Sequence, residues 1–565
     1  MNATALLRAP PFPGLTDAPP GAAPASPVPE GPARAALFDQ LRAGRVGGRF
    51  WAEPARLDQP PGTVFRPRLG DDLSGLAALA EGRSALWVFR EASQRARLAQ
   101  DATQSCGDVD PWSVLPGASA LVAHGDDEWV AIARLAGVPA IHILSPGRFG
   151  QPGASGAALD ACVAQALAVP MRDPFGDGWL APEQAVALLA DWRRVIDGNR
   201  GPAGAAIVAV CGMAWWKRAE IRRFLWLPDT RLRIFRSARR ALAFAQAQGG
   251  ALAIWPSRVS PTLLAEARSK GVPLVLVEDG FVRSVGLGSD LVPPASIVVD
   301  RQGMHFDPSG PSALEDILAH TRFAPDLLAR ARRLAQTIVA AGISKYAGGH
   351  SDGADDPLPQ RIAGGRLVLV PGQVENDMSV LAGGGGLASN LELLRRVRAL
   401  EPEAEIWWRP HPDVDAGHRK GAVADDAALA HADRIVRGGS IAPLLEMADA
   451  VHVLTSLTGF EALLRGCEVT CHGTPFYAGW GLTRDLGPVP GRRGRALLLD
   501  ELVAGVLILY PRYLDPVTGL PCSPELLVER MAQDRIVNRQ GWIGPVRRLQ
   551  GRLMARIRLW GRAQA

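Results

Sequence analysis

The stretch RLVLVPGQVENDMS, residues 366–379, decides the fold. Its first half is apolar at nearly every position. A strand with one wet face alternates apolar and polar residues, whereas one buried on both faces is apolar throughout, as in a parallel sheet between helices. The same continuous pattern returns in ALAIWP (251–256), PLVLVEDG (273–280), AEIWWRPHP (404–412) and DAVHVLTS (449–456). Helical patterns, SPTLLAEARSKG (260–271) and NLELLRRVRAL (390–400), lie between them. Strands alternating with helices define an α/β fold with a doubly wound parallel sheet. The second half, PGQVENDMS, puts Gln373, Glu375, Asn376 and Asp377 at the carboxyl end of a buried strand, where open α/β sheets bind ligands.

At 565 residues the chain exceeds a single core. Residues 1–34 are rich in Pro and Ala and read as a disordered leader. Residues 35–197 read as one α/β module, with strands in SALWVF (84–89), ASALVAH (118–124) and VPAIHIL (138–144) and a helix in DDEWVAIARLAG (126–137). Residues 205–360 and 361–520 read as two Rossmann-like domains, and 521–565 as a basic tail. The first module repeats the last part of the main one. The stretch from Ser113 resembles the one from Ile441, and DPFGDGWLAPEQ at Asp173 echoes DPVTGLPCSPEL at Asp515. The first copy is shorter.

The net charge is +5, and the eight arginines after residue 534, with no acid among them, carry the whole surplus. The body is near neutral and does not read as a nucleic-acid binder. Six cysteines without a CxxC pair read as reduced thiols in a cytosol. No apolar stretch is long enough to span a bilayer. In the tail, Leu549, Leu553, Ile557 and Trp560 recur at helical spacing, with Arg548, Arg552 and Arg556 on another face. That is the pattern of an amphipathic helix lying on anionic lipid, or of one packed back on the protein.

Several strand ends of the main module carry polar clusters. Glu278 and Asp279 stand before a glycine, a pairing that suits a general acid or base, or simply an acidic turn. Asp377 reads as a nucleophile or base, or as the N-cap of the next helix. Arg409 and His411 precede Pro412, which suits a first helical turn near which an anion could sit. Thr455, Ser456 and Thr458 lie between strand and helix as a phosphate cradle or as caps, with Glu461 one turn in, where it could hold a ribose. Lys345 is one of four lysines in the chain.

Seven blocks now occur in order: EDGFVRSVGLGSDLVPPASIVVDRQGMHFDP, SKYA, PGQVENDMS, RPHPDVDAGHRKG, TSLTGFEALLRG, GTPFYAGWGLTRD and YPRYLDP. Together they resemble the C-terminal module of KpsC-type capsule polysaccharide proteins, retaining β-Kdo transferases of GT-B-like architecture. The resemblance implies transfer of the ulosonic acid Kdo from CMP-Kdo onto a Kdo-bearing phosphatidylglycerol-type lipid, building the β-Kdo linker of a capsule. It implies work in the cytoplasm at the inner face of the membrane, beside a partner transferase and the export machinery, with no metal or other cofactor. Carried onto this sequence, it makes Asp377 the nucleophile and Glu278 the acid/base, with Asp279 as its alternate. His411, Ser456 and Thr455 would hold the CMP phosphate. Lys345, Arg409 and Arg283 would supply charge, with Gln373 and Glu461 also lining the donor site. Alternatives are an enzyme acting on another nucleotide-activated sugar, such as an epimerase, or a non-catalytic export scaffold. The first module lacks the Glu-Asp-Gly, Gln-x-x-x-Asp and His-Pro blocks, and puts Asp126, Asp127 and Glu128 where a phosphate would be repelled, so it reads as a degenerate module with a structural or docking role.

Overall fold

The structure, a computed structural model, describes residues 5–15, 26–90 apart from 81 and 83, 104–202, 205–344 apart from 283 and 286–291, 346–347, and 360–533 apart from 363 and 418. It divides into two compact units, Met1–Arg200 with Trp226–Thr230, and Gly201–Leu225 with Arg231–Ala565. Among the described residues no helix is long and apolar enough to cross a membrane.

The first unit holds a five-stranded parallel sheet of β1 (Thr63–Arg66), β2 (Ala85–Val88), β3 (Gln104–Cys106), β4 (Ala120–Ala123) and β5 (Ala140–Ile143), in the order β3-β2-β1-β4-β5. Phe65 and Trp87 stack across neighbouring strands at 4.4 Å, a cross-strand aromatic pair that fixes register. A hairpin of β6 (Met171–Arg172) and β7 (Trp179–Leu180) leads into the helix Pro182–Arg200.

The leader expectation fails for residues 5–15. Leu6, Leu7 and Phe12 are buried, and the Phe12 ring lies 5.1 Å from that of Trp192 and 4.4 Å from that of Trp226. The segment is bends and turns, with Phe12 N–H bonded to the Pro10 carbonyl at 2.8 Å, and irregular backbone can still bury apolar side chains. The first helix, Gly31–Gly44, also begins inside the segment expected to be leader.

The second unit holds two sheets. The first consists of β8 (Ile207–Cys211), β9 (Arg233–Ile234), β10 (Ala251–Ile254), β11 (Leu274–Asp279), β13 (Ser296–Asp300), β21 (Pro511–Leu514) and β22 (Pro521–Cys522), ordered β22-β21-β13-β11-β10-β8-β9. The segment β11-β10-β8-β9 is parallel, and β13, β21 and β22 join it antiparallel. A small ladder pairs β12 (Ser284–Val285) with β14 (Tyr346–Ala347). The second sheet is wholly parallel: β15 (Leu367–Pro371), β16 (Glu405–Arg409), β17 (Arg434–Ile435), β18 (Ala450–Val453), β19 (Glu468–Cys471) and β20 (Arg484–Asp485), in the order β17-β16-β15-β18-β19-β20. Every residue of β15, β16 and β18 is buried, which is why they read as continuous apolar runs. Two Rossmann-type sheets in one unit are the GT-B-like fold class that the resemblance implies.

The boundary at residue 520 is not the one the chain follows. β21 and β22 return to the first sheet, and the helix Pro524–Ala532 buries Leu527, Val528 and Met531. Residues 521–532 are therefore core, not tail. The rest of the tail, with its amphipathic pattern, lies outside the described residues.

The internal repeat is visible as topology. β4, the helix Glu128–Ala136 and β5 match β18, the helix Thr458–Leu464 and β19. The hairpin β6–β7 turns at Asp173 before a helix starting at Pro182, as β21–β22 turns at Asp515 before one starting at Pro524.

Candidate active site

The carboxyl ends of β15 and β18 are neighbours in one sheet, and the polar lip is built there. Gly372 opens it because a Cβ would sit 2.7 Å from the Trp408 ring. Gln373 is 7% exposed and both ends of its side-chain amide are used. Its Oε1 accepts from the Thr455 backbone N–H at 2.8 Å, and its Nε2 donates to Thr455 Oγ1 at 3.0 Å. Asn390 clamps the loop from behind: its Nδ2 donates to the carbonyls of Gln373 and Gly421, both at 2.8 Å, and its Oδ1 accepts from the Gln373 N–H at 3.0 Å. Glu375 accepts the Asn390 N–H at 3.0 Å, so it braces the loop.

Asp377 is the N-cap of the short helix Met378–Gly383. Its Oδ1 accepts from the Ser379 N–H at 3.0 Å and from Ser379 Oγ at 2.8 Å. Ser379 Oγ in turn accepts from Thr455 Oγ1 at 3.4 Å. One hydrogen-bonded chain thus runs Gln373–Thr455–Ser379–Asp377 and fixes the half-buried Asp377 carboxylate through one oxygen. Among the described residues Oδ2 has no hydrogen bond. The capping and the chemical readings of Asp377 are compatible, because they use different oxygens.

Ser456 lies just before the helix Thr458–Leu464, whose N-cap position is Leu457. Its Oγ accepts from the Thr458 N–H at 3.2 Å and donates to Thr458 Oγ1 at 3.1 Å, and Tyr477 donates to the Ser456 carbonyl. Gly459 leaves room for Tyr477, since a Cβ there would meet the phenol oxygen at 2.2 Å. Glu461 departs from expectation. It is on the buried face, near enough to Tyr477 to help push that phenol's pKa well above its usual range, after burial and the negative charges of Cys471 and Asp485. A helix places every third or fourth residue on one face, and here that face is the core.

Arg409 also departs from expectation. The buried guanidinium donates to the carbonyls of Val436 at 3.2 Å and Gly439 at 2.8 Å, and burial lowers its pKa. It holds the loop after β17. His411 caps the single turn Pro412–Asp415, its Nδ1 accepting the Asp413 N–H at 3.1 Å.

In the other sheet, Glu278 and Asp279 end β11, as expected. Glu278 Oε1 accepts the Asp279 N–H at 3.1 Å. Gly280 follows because a Cβ would lie 2.1 Å from Ser296 Oγ. Asp279 Oδ1 is paired with Lys217 Nζ at 2.8 Å. Lys217 was not among the expected site residues, and neither were Asn390 and Ser379. Its rarity as a lysine was the available signal. Arg283 and Lys345 lie outside the described residues.

The corresponding edge of the first unit is occupied by its own charges. Asp127 pairs with Arg90 at 2.8 Å and Arg66 at 3.3 Å, Glu128 with Arg8 at 2.6 Å, and Asp126 with Arg68. The acids expected to repel a phosphate are neutralised. One correspondence was hidden in the sequence. Thr63 pairs with Ala120 as Val368 pairs with Ala450, and counting nine residues on from each reaches Asp72 and Asp377. Asp72 caps its helix through the Ser74 N–H at 3.1 Å, as Asp377 does through Ser379. Arg68 stands where Gln373 would be.

An open depression of about 640 Å³ lies at the opposite, amino end of the second sheet. Four of its charges are paired with each other, Arg361 with Asp449 at 2.7 Å and Arg366 with Glu468 at 2.6 Å, and the polar lip is not part of it.

Residues 250–513 match the family model described as capsule polysaccharide biosynthesis protein. The capsule polysaccharide modification protein LipA of Neisseria meningitidis serogroup A is 43% identical over 324 residues, 57% of this chain and 45% of LipA. The chain thus spans about half the length of that relative. The lipopolysaccharide-processing protein LpsZ of Rhizobium meliloti is 40% identical over 337 residues, 58% of this chain and 75% of LpsZ. Two solved chains of Thermosulfurimonas dismutans KpsC align over 58% of this chain. The β-Kdo 2,7 transferase is 35% identical, is covered to 99% and has a TM-score of 0.47. The β-Kdo 2,4 transferase is 31% identical, is covered to 98% and has a TM-score of 0.49. With two fifths of its positions shared across three quarters of LpsZ, the chain belongs to the capsule polysaccharide biosynthesis protein family.

Proposed function

We propose that this chain transfers Kdo from CMP-Kdo, with retention, onto a Kdo-bearing lipid of the phosphatidylglycerol type, building the β-Kdo linker of a capsular polysaccharide. The observation that carries the reading is the Gln373–Thr455–Ser379–Asp377 chain, which presents one Asp377 oxygen at a strand end and holds the other. Retention at an anomeric carbon takes two displacements. In the first, Asp377 Oδ2 bonds to the anomeric carbon and the bond to the phosphate breaks, its electrons leaving with CMP. In the second, an acceptor hydroxyl attacks that carbon, Glu278 takes the hydroxyl proton, and the bond to Asp377 breaks. His411 follows β16, and Thr455 and Ser456 follow β18, the strands on either side of β15, at the end of the sheet where open α/β folds bind ligands.

The motif blocks support Kdo as the sugar, and the solved chains named for Kdo transfer share 35% and 31% of their residues with this one. The acceptor lipid and the arginines of the tail support work at the inner face of the cytoplasmic membrane, in company with a second transferase and the export machinery. The first unit, with its edge filled by ion pairs, serves as a structural or docking module.

The test incubates purified protein with CMP-Kdo and a synthetic Kdo-terminated lipid, beside Asp377→Ala, and follows the product by mass. One added Kdo that is lost in the variant supports the reading. CMP-Kdo that neither binds nor reacts refutes it.

A further inference from the structure

Ser379 holds Asp377 twice. Its backbone N–H donates to Asp377 Oδ1 at 3.0 Å, and its hydroxyl donates to the same oxygen at 2.8 Å. Capping needs only the first, since an N-cap carboxylate accepts from a backbone N–H two or three residues on. The direction of the second is set from behind. The Thr455 N–H can only donate, so the Gln373 atom 2.8 Å from it is the carbonyl oxygen, and the amide nitrogen faces Thr455 Oγ1. Thr455 Oγ1 therefore accepts from Gln373 and turns its own hydrogen to Ser379 Oγ, 3.4 Å away. Ser379 Oγ accepts there and gives its single hydrogen to the carboxylate.

The first unit supplies an internal control. Counting on from the matched pairs Thr63–Ala120 and Val368–Ala450, Asp72 stands where Asp377 does, and Ser74 where Ser379 does. Asp72 accepts the Ser74 N–H at 3.1 Å, but among the described residues the Ser74 hydroxyl makes no hydrogen bond. The residues in the places of Gln373 and Thr455 are Arg68, paired with Asp126, and Gly125, which has no hydroxyl. The same Asp-x-Ser turn thus forms its cap without the hydroxyl bond. That bond is an addition to the cap, present where Gln373 and Thr455 stand behind the serine.

Both Ser379 bonds fall on Oδ1, and Oδ2 is the atom that the proposed transfer uses. A hydrogen bond to an ionised acceptor is stronger than one to a neutral acceptor. While Asp377 is a carboxylate, Oδ1 shares the charge and the Ser379 bond is strong. Once Oδ2 is bonded to the anomeric carbon, the charge has left with CMP, and Oδ1 is the carbonyl oxygen of an ester. The Ser379 hydroxyl therefore favours the free carboxylate over the sugar-bearing ester. It opposes the first displacement and assists the second. In that second step the acceptor hydroxyl oxygen bonds to the anomeric carbon and its proton passes to Glu278. The bond to Asp377 Oδ2 breaks, and its electron pair returns to the carboxylate.

We infer that Ser379 is a positioning residue that makes Asp377 a good leaving group, so that the sugar-bearing enzyme passes its sugar to the acceptor soon after it forms. The inference rests on the proposed transfer and deepens it, because it assigns the release step to a hydroxyl that acts through Asp377 rather than on the substrate. Thr455 and Gln373 aim that hydroxyl from behind.

The test loads the wild type, Ser379→Ala, Ser379→Thr and Thr455→Val with CMP-Kdo, adds the Kdo-terminated lipid, and quenches in acid at intervals through both stages. Intact mass gives the rate at which each protein gains one Kdo and the rate at which it loses it, and calorimetry gives CMP affinity. Ser379→Ala keeps the backbone cap. It is expected to raise the ratio of the loading rate to the clearing rate by about tenfold, the difference between a charged and a neutral hydrogen bond, with CMP affinity kept. Ser379→Thr restores the hydroxyl and with it the wild-type ratio. Thr455→Val removes the aim but not the hydroxyl, and shifts the ratio the same way by less. A wild-type ratio in Ser379→Ala overturns the role of Ser379, as does a variant whose only change is lost CMP affinity. Should Ser379→Ala fail to fold, a wild-type ratio in Thr455→Val overturns it. A wild type that binds CMP-Kdo and transfers no sugar, or transfers it with inversion, overturns instead the reading on which this role rests.

Discussion

Gln373→Ala separates a ligand from a brace. The family resemblance implies that Gln373 lines the donor site, whereas the structure engages both ends of its amide with Thr455, at 2.8 and 3.0 Å. Two neutral hydrogen bonds contribute about 0.5–1.5 kcal/mol each, and a buried N–H left without an acceptor costs about 1–3 kcal/mol more. The Thr455 N–H would be that orphan, since Gln373 Oε1 is its acceptor. The sum is roughly 2–6 kcal/mol. Water entering the vacated space at the rim brings it toward the lower end, ~2 kcal/mol. In a unit of this size, Gly201–Leu225 with Arg231–Ala565, that lowers the melting transition by about 3 °C. Calorimetric melting of Gln373→Ala, with Asn376→Ala as the exposed control, reads this directly. The control should melt as the wild type does, because Asn376 is exposed. A brace predicts a lower melting temperature with CMP affinity nearly kept. An unshifted transition, with CMP affinity lost, would refute the brace and return Gln373 to the ligand.

The pair His452 and His472, buried in the second sheet with ring nitrogens 3.1 Å apart, should make stability depend on pH. Burial first, and the neighbouring His452 second, push His472 down to about 4 from an ordinary 6.5, and burial lowers His452 as well. The unfolded ring takes up a proton below 6.5 and the folded one does not, so stability is present above that pH and is lost as pH falls toward 4. For His472 the loss amounts to roughly 3 kcal/mol, and His472→Gln should be flatter across that window in urea melts. Phe12→Ala removes a ring packed between Trp192 and Trp226 and should destabilise the first unit by about 3–4 kcal/mol, seen as faster proteolysis of that unit with the second intact. Asp72→Ala should leave Kdo transfer unchanged while Asp377→Ala abolishes it, although both acids cap helices in matching places.

Strands buried on both faces announced themselves, and the second sheet was legible from β15, β16 and β18 alone. Their burial is decided by residues within the strand. What was not legible depends on distant partners. β1 is four residues, TVFR, with no periodicity to separate it from a loop, and its central place in the first sheet comes from β2 and β4 on either side. The return of β21 to β13 pairs residues more than two hundred positions apart, Tyr513 with Ser296, so no local signal marks it. Composition misled at residues 5–15, where proline content suggested disorder and Phe12 found two tryptophans. At the site, residue type was legible and occupation was not. Arg409 and Glu461 look available in the sequence, and the fold turns one to backbone carbonyls and the other to the core. Lys217 and Asn390 matter through what the fold brings to them, and Asp72 was visible only once β1 and β15 could be compared strand for strand.

The central claim is that the fixed carboxylate of Asp377 forms a bond to the sugar. The most direct measurement incubates the protein with CMP-Kdo in the absence of acceptor, quenches in acid, and maps the digested protein by mass. The account predicts a gain of one Kdo on the peptide that contains Asp377, cleared when the lipid acceptor is added before quenching. Active protein that never carries the sugar, with a product of inverted anomeric configuration, would contradict it.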